Sequence, residues 1–141
     1  MENSGKGIIV PTIEEIVGLN CLFISTTGGF FNPPDNLRNT SSLKWALEVI
    51  RCPSLFGIDP YPTLPEKASL LAWTIINDHV FNDGNKRTGL ATIRITILDN
   101  GCEFNISNDE IVAMARDIAN YRKTEVTKPF LADWIADCMK A

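Results

Sequence analysis

The sequence is poor in several residues and patterns on which whole classes of function depend. It holds one histidine and four cysteines in 141 residues. Cys21, Cys52, Cys102 and Cys138 are scattered, with no C-x-x-C pair, so a structural zinc site lacks plausible ligands. Free, mostly buried thiols in a reducing cytosol are the expectation. Excess basic charge is also missing. A net charge of −4 argues against a general nucleic-acid binder, while leaving room for a local basic pocket. No apolar run approaches the ~20 residues a membrane-spanning helix needs. The apolar patch between Met1–Lys6 and Pro11 is too short for a signal-peptide core. A cytoplasmic protein without membrane contact is therefore expected. The familiar phosphate and nucleophile motifs are absent too. There is no G-x-G-x-x-G, and Leu90-Ala91 follows Gly84 and Gly89 where a Walker loop requires Lys-Ser/Thr. No serine sits in an elbow sequence.

What remains is an ordinary globular composition, 45% hydrophobic and 21% charged, at a length that suits one domain over residues 1–141. Thr12 and Glu15 have the spacing of a capping box, which opens a helix to about Ile24. Gly28 to Thr40 reads as a loop or short hairpin, with Phe30 and Phe31 either a docking edge or core aromatics under the loop. Ser41 or Ser42 can cap a helix through Ile50, and Cys52 to Thr63 is a second loop. Pro65 opens a helix from Glu66 to about His79, apolar around most of its circumference and so central. Thr92 to Ile97 alternates polar and apolar as a strand does, yet Leu90, Ile93 and Ile97 keep helical spacing before an Asn100-Gly101 stop. The local pattern leaves both open. Ser107 and Glu110 form another capping box, and a last helix covers Pro129 to Met139.

Between the central helix and the ambiguous segment lies His79-Val80-Phe81-Asn82-Asp83-Gly84-Asn85-Lys86-Arg87. Taken singly, each residue has a dull reading: a helix cap, a turn, a solvated cationic pair. Taken together they offer the parts of phosphoryl or nucleotidyl transfer. His79 supplies a general base. Asp83 supplies the hard oxygen that magnesium prefers. Gly84 and Asn85 accept left-handed backbone, so successive amides can converge on an anion, and a helix beginning near Lys86 adds its own free amides. Lys86 and Arg87 add fixed charge, and Phe81 can anchor the loop in the core.

This run resembles the Fic/Doc motif, His-x-Phe-x-Asp/Glu-Gly-Asn-Gly/Lys-Arg. Leu37-Arg38-Asn39-Thr40 is similar to the Ile-Arg-Asp stretch upstream in Doc-like proteins. The resemblance implies an all-α, Fic/Doc-type helical bundle in which the segment after the motif loop is the buried central helix. It further implies that His79 is the catalytic base and that Asp83 holds Mg2+. Gly84, Asn85, Lys86 and Arg87 would bind the phosphates of ATP as co-substrate. Lys86 and Leu90 stand where AMP-transferring members carry glycine and a second arginine. Both features are shared with Doc toxins, which implies transfer of the terminal phosphate to a hydroxyl of a protein substrate, a translation elongation factor in those relatives. AMP transfer, or nucleotide binding without turnover, are the alternatives. No Ser/Thr-x-x-x-Glu-Gly/Asn inhibitory motif is present, so a small antitoxin protein is the expected source of restraint.

Overall fold

The computed structural model describes residues 7–51 and 57–140, so Met1–Lys6 and Cys52 lie outside the described residues. Seven helices and one two-stranded pairing make up the described chain: α1 (Ile13–Thr27), α2 (Thr40–Arg51), α3 (Leu64–Asn77), α4 (Asn85–Asp99), β1 (Glu103–Phe104), α5 (Asn108–Ala119), α6 (Tyr121–Thr124), α7 (Lys128–Cys138) and β2 (Met139–Lys140). The fold is all-α as expected. No described helix is long and apolar enough to cross a membrane.

Helix α3 is the axis of the molecule because it is apolar on two sides. Ala68, Ala72 and Ile76 face a cluster with Leu90, Ile93 and Ile97 of α4, Met114 and Ile118 of α5, and Leu131 and Ile135 of α7. Leu70, Leu71 and Ile75 face a second cluster with Ile16 of α1 and Leu43, Ala46, Leu47 and Ile50 of α2. Gly89 lets α4 press against α3, since a Cβ there would stand 2.8 Å from Ile76 Cγ1. A side chain at this crossing would force the two helices apart.

The ambiguous segment is helical, buried at Thr88, Leu90, Thr92, Ile93, Thr96 and Ile97. Its β-branched threonines tolerate burial because the helix satisfies them. Thr92 Oγ1 donates to Thr88 O at 2.7 Å, and Thr96 Oγ1 to Thr92 O at 2.6 Å. Only a helix offers a threonine the carbonyl four residues back; a strand would have left these hydroxyls without partners in the core.

Several boundaries differ from the sequence reading. Helix α1 runs on to Thr27, and α2 starts at Thr40, which puts Ser41 and Ser42 inside its first turn. Met139 leaves α7 to pair as β2 with Phe104 of β1, antiparallel. The 28–40 segment forms no hairpin of its own; Leu37 instead bridges to Phe81 of the motif loop. Burial of the thiols was overestimated: Cys21 is exposed on α1, and Cys102 and Cys138 are half-buried.

Candidate active site

The motif loop starts where α3 ends. Asp78 N donates to Thr74 O at 3.0 Å, and Val80 N reaches back to Ile75 O at 3.3 Å. That second bond spans His79, which has φ 49. This is the Schellman arrangement, whose left-handed position glycine normally occupies because it has no Cβ to clash. A histidine meant only to end the helix would be a poor choice here. The strained backbone throws an exposed imidazole out at the cleft edge, where strain is commonly tolerated for function.

Beyond His79 the chain dives into the core. Val80 and Phe81 are fully buried in the α1–α2–α3 cluster. Val80 O accepts from the amides of Arg38 and Asn39 at 2.7 and 3.0 Å, so the 36–39 segment straps the loop from outside. The Asn85 side chain closes the turn from within: its Oδ1 accepts from Phe81 N and its Nδ2 donates to Phe81 O, both at 2.9 Å. Asn85 thus ties its side chain to the loop at both ends of the amide, and its backbone N–H and the second Nδ2 hydrogen are left to meet an anion.

Helix α4 begins on Gly84, φ 79, with no side-chain cap. The first intrahelical acceptor goes to Thr88 N, which donates to Gly84 O at 2.9 Å. The amides of Asn85, Lys86 and Arg87 therefore open the helix without carbonyl partners inside it, at the positive end of its dipole. Lys86 and Arg87 are exposed beside them. Arg87 Nη1 donates to Thr27 Oγ1 at 2.8 Å.

Asp83 is half-buried and held by two amides. Phe30 N donates to its Oδ2 and Gly84 N to its Oδ1, both at 2.8 Å. The Phe30 amide, the Gly84 amide and then the charges of Arg87 and Lys86 hold its pKa below the usual 3.8, against an opposing effect of burial. A carboxylate has about four lone-pair sites, so two amides leave room for a cation. Among the described residues no three His, Cys, Asp or Glu side chains converge. That donor set suits magnesium, which keeps several waters and takes one or two carboxylates plus substrate phosphates. Asp83 would hold it together with a polyphosphate, not alone.

All six residues singled out in the sequence, His79, Asp83, Gly84, Asn85, Lys86 and Arg87, line one cleft of about 540 Å³. Its opposite wall is apolar and was not anticipated: Ile111, Val112, Ala115 and Ala119 of α5. A buried amide network beneath the loop was missed as well. Asn20 of α1 is wholly buried; its Nδ2 donates to Asp83 O at 2.8 Å and lies 3.1 Å from Thr88 Oγ1. Asn36, also buried, donates to Asn20 Oδ1 at 2.9 Å, and its carbonyl accepts from Asn82 N at 2.9 Å. Asn20 did leave a trace in the sequence, as the polar member of the stripe Ile16, Asn20, Ile24 that α1 buries. A lone amide amid buried apolar neighbours needs partners.

The domain is helical, and its exposed imidazole, amide-held carboxylate and open helix start share one cleft. In comparison with known families, a family model described as Fic/DOC matches residues 12–96. The chain belongs to the Fic/DOC family, whose members are transferases. It is similar to the Toxin Doc of Mycolicibacterium smegmatis, 34% identical over 67 residues, which is 48% of this chain. That match spans half of the relative, 50% of its length.

Proposed function

We propose that the protein transfers the terminal phosphate of ATP to a serine or threonine hydroxyl of another protein, as the toxin of a toxin–antitoxin pair. The observation that carries this is the gathering of His79, Asp83 and the uncapped start of α4 along one side of a single cleft. In this reading the imidazole of His79 takes the proton of the target hydroxyl. The freed oxygen attacks the terminal phosphorus, the bond to the bridging oxygen breaks, and ADP leaves. Lys86, Arg87 and the amides of Asn85 to Arg87 meet the charge on the phosphates. Asp83 would hold magnesium, which when bound would supply charge neutralisation for the phosphates.

The choice of phosphate over AMP rests on Leu90. It stands where the resemblance places the second arginine of AMP-transferring members, and here it is 2% exposed, packed in the α3–α4 core and outside the lining of the cleft, which leaves Arg87 as the arginine of α4 that lines it. Phe30, 60% exposed beside Asp83, gives an incoming protein an apolar foothold at the cleft mouth, while Phe31 is half-buried. A translation elongation factor is the target class suggested by the Doc resemblance, and a small antitoxin is the matching partner.

Labelled ATP tests the proposal. With bacterial lysate, label at the terminal phosphate should appear on a protein band, and His79→Ala should remove it. Label carried only from the innermost phosphate would establish AMP transfer instead. No label from either position would leave a binding module without turnover, or a lysate that lacks the substrate.

A further inference from the structure

One short segment touches two charged groups of the cleft, Asp83 and Arg87. At the end of α1, Thr27 Oγ1 donates to Phe23 O at 2.6 Å and accepts from Arg87 Nη1 at 2.8 Å. Three residues on, the Phe30 amide donates to Asp83 Oδ2 at 2.8 Å. Between them Gly28 and Gly29 have φ 88 and 133, and Gly28 N closes α1 on Ile24 O at 2.9 Å. Gly29 has no alternative at this place. A Cβ there would stand 2.8 Å from Asp83 Oδ2 and 2.9 Å from Ile24 Cδ1.

We infer that Thr27–Phe30 is a positioning arm, which sets the Arg87 guanidinium and the Asp83 carboxylate at a fixed separation so that both meet the same polyphosphate. The chemistry of the hydroxyl supports this. Thr27 has one proton, and that proton is committed to the Phe23 carbonyl, so the lone pairs are turned toward Arg87. A hydroxyl already donating is also a better acceptor, because hydrogen bonds in a chain polarise one another. Arg87 carries five donors in a rigid fork. Thr27 takes one end of the fork and leaves the other donors for phosphate oxygens. An exposed arginine without that tether would have to be ordered by the nucleotide itself, at a cost in affinity. Asp83 is treated alike, with an amide of the same arm on one oxygen. Neither Thr27 nor Phe30 touches the reacting atoms in this arrangement; both act through their partners.

The inference rests on the nucleotide reading of the cleft, and its test separates the two. ATP with magnesium is titrated calorimetrically into wild type, Thr27→Val, Thr27→Ser, Arg87→Ala and the double variant Thr27→Val with Arg87→Ala. Thr27 is exposed, so a valine of the same shape leaves the fold in place. Thr27→Val should weaken binding about tenfold, the order expected for losing one charge-assisted hydrogen bond. Thr27→Ser should restore it, and Thr27→Val should change nothing once Arg87 is gone. Equal loss with and without Arg87 would mean a merely structural residue and overturn the inference, as would a Thr27→Val protein that binds like wild type. Gly29→Ala, folded by circular dichroism, should bind ATP equally with magnesium and with EDTA. A full magnesium increment in that variant would also overturn it. Failure of wild type to bind ATP would remove the nucleotide reading and the arm with it. Binding that follows the cycle without any phosphate transfer would remove the proposed reaction alone.

Discussion

Four helix starts of this protein contrast with a fifth. Helices α1, α3, α5 and α7 begin on Thr12, Thr63, Ser107 and Thr127, each accepting from an amide of the first turn, and the first three add a glutamate that bonds back to the cap. Helix α4 begins on a left-handed glycine with no side-chain cap. A hydroxyl cap is worth about 1 kcal/mol, so α4 forgoes stabilisation that four neighbours take. The same amides that a cap would occupy are the ones an anion needs. At these four ends the chain closes its helix; at α4 it leaves the end open and sets an imidazole in a strained turn nearby, and the four-residue α6, which also lacks a side-chain cap, adjoins no such group.

Substitutions can break that contrast. The largest effect is expected from His79→Ala, which should lower phosphate transfer by roughly 10²–10⁴, the usual contribution of a positioned base. Its thermal melt should stay where the wild type melts, since the side chain is exposed. Next is Phe81→Ala, which should cost about 3–5 kcal/mol in denaturant unfolding because it empties a fully buried site under the loop. Thr63→Ala and Ser107→Ala should each cost about 1 kcal/mol while leaving ATP affinity unchanged, because these ends serve folding alone. The smallest effect is the most telling. His79→Gly should raise stability by up to about 1 kcal/mol, by relieving the left-handed strain, and should still lose transfer. A His79→Gly protein less stable than wild type would show that the histidine belongs to the fold.

Acid sharpens the same contrast. Asp83 is held below 3.8 in the folded state, so its carboxylate stabilises the fold at any pH above the unfolded value. That contribution disappears as pH falls through the lowered folded value. The stability difference between wild type and Asp83→Asn should therefore be constant from neutral pH down to about 4, and should shrink only below it. A difference that already fades near pH 6 would contradict the amide-held carboxylate.

Much of this was legible in the sequence, for local reasons. The boxes at Thr12 and Ser107 involve residues three apart, and both hold. The box at Thr63 has the same form, Thr63 with Glu66, but lay hidden behind Pro65. The site loop was readable because nine consecutive residues carry its parts. Segment 92–97 was not, because its β-branched alternation fits either period until the partners of the threonine hydroxyls are known. The α5 wall, the Asn20–Asn36 network and the Thr27–Arg87 contact join residues far apart in the chain, with Thr27 and Arg87 60 positions apart. Local spacing carries no record of such pairings; they exist only once α3 has gathered the other helices around it.

The central claim is that the open end of α4 is the phosphate site, and amide chemical shifts during a titration of ATP with magnesium test it directly. The amides of Asn85, Lys86 and Arg87 should move together and saturate, while those in the capped first turns of α1, α3, α5 and α7 stay still. Shifts at the capped ends, or a titration to millimolar ATP that leaves residues 85–87 unmoved, would contradict it.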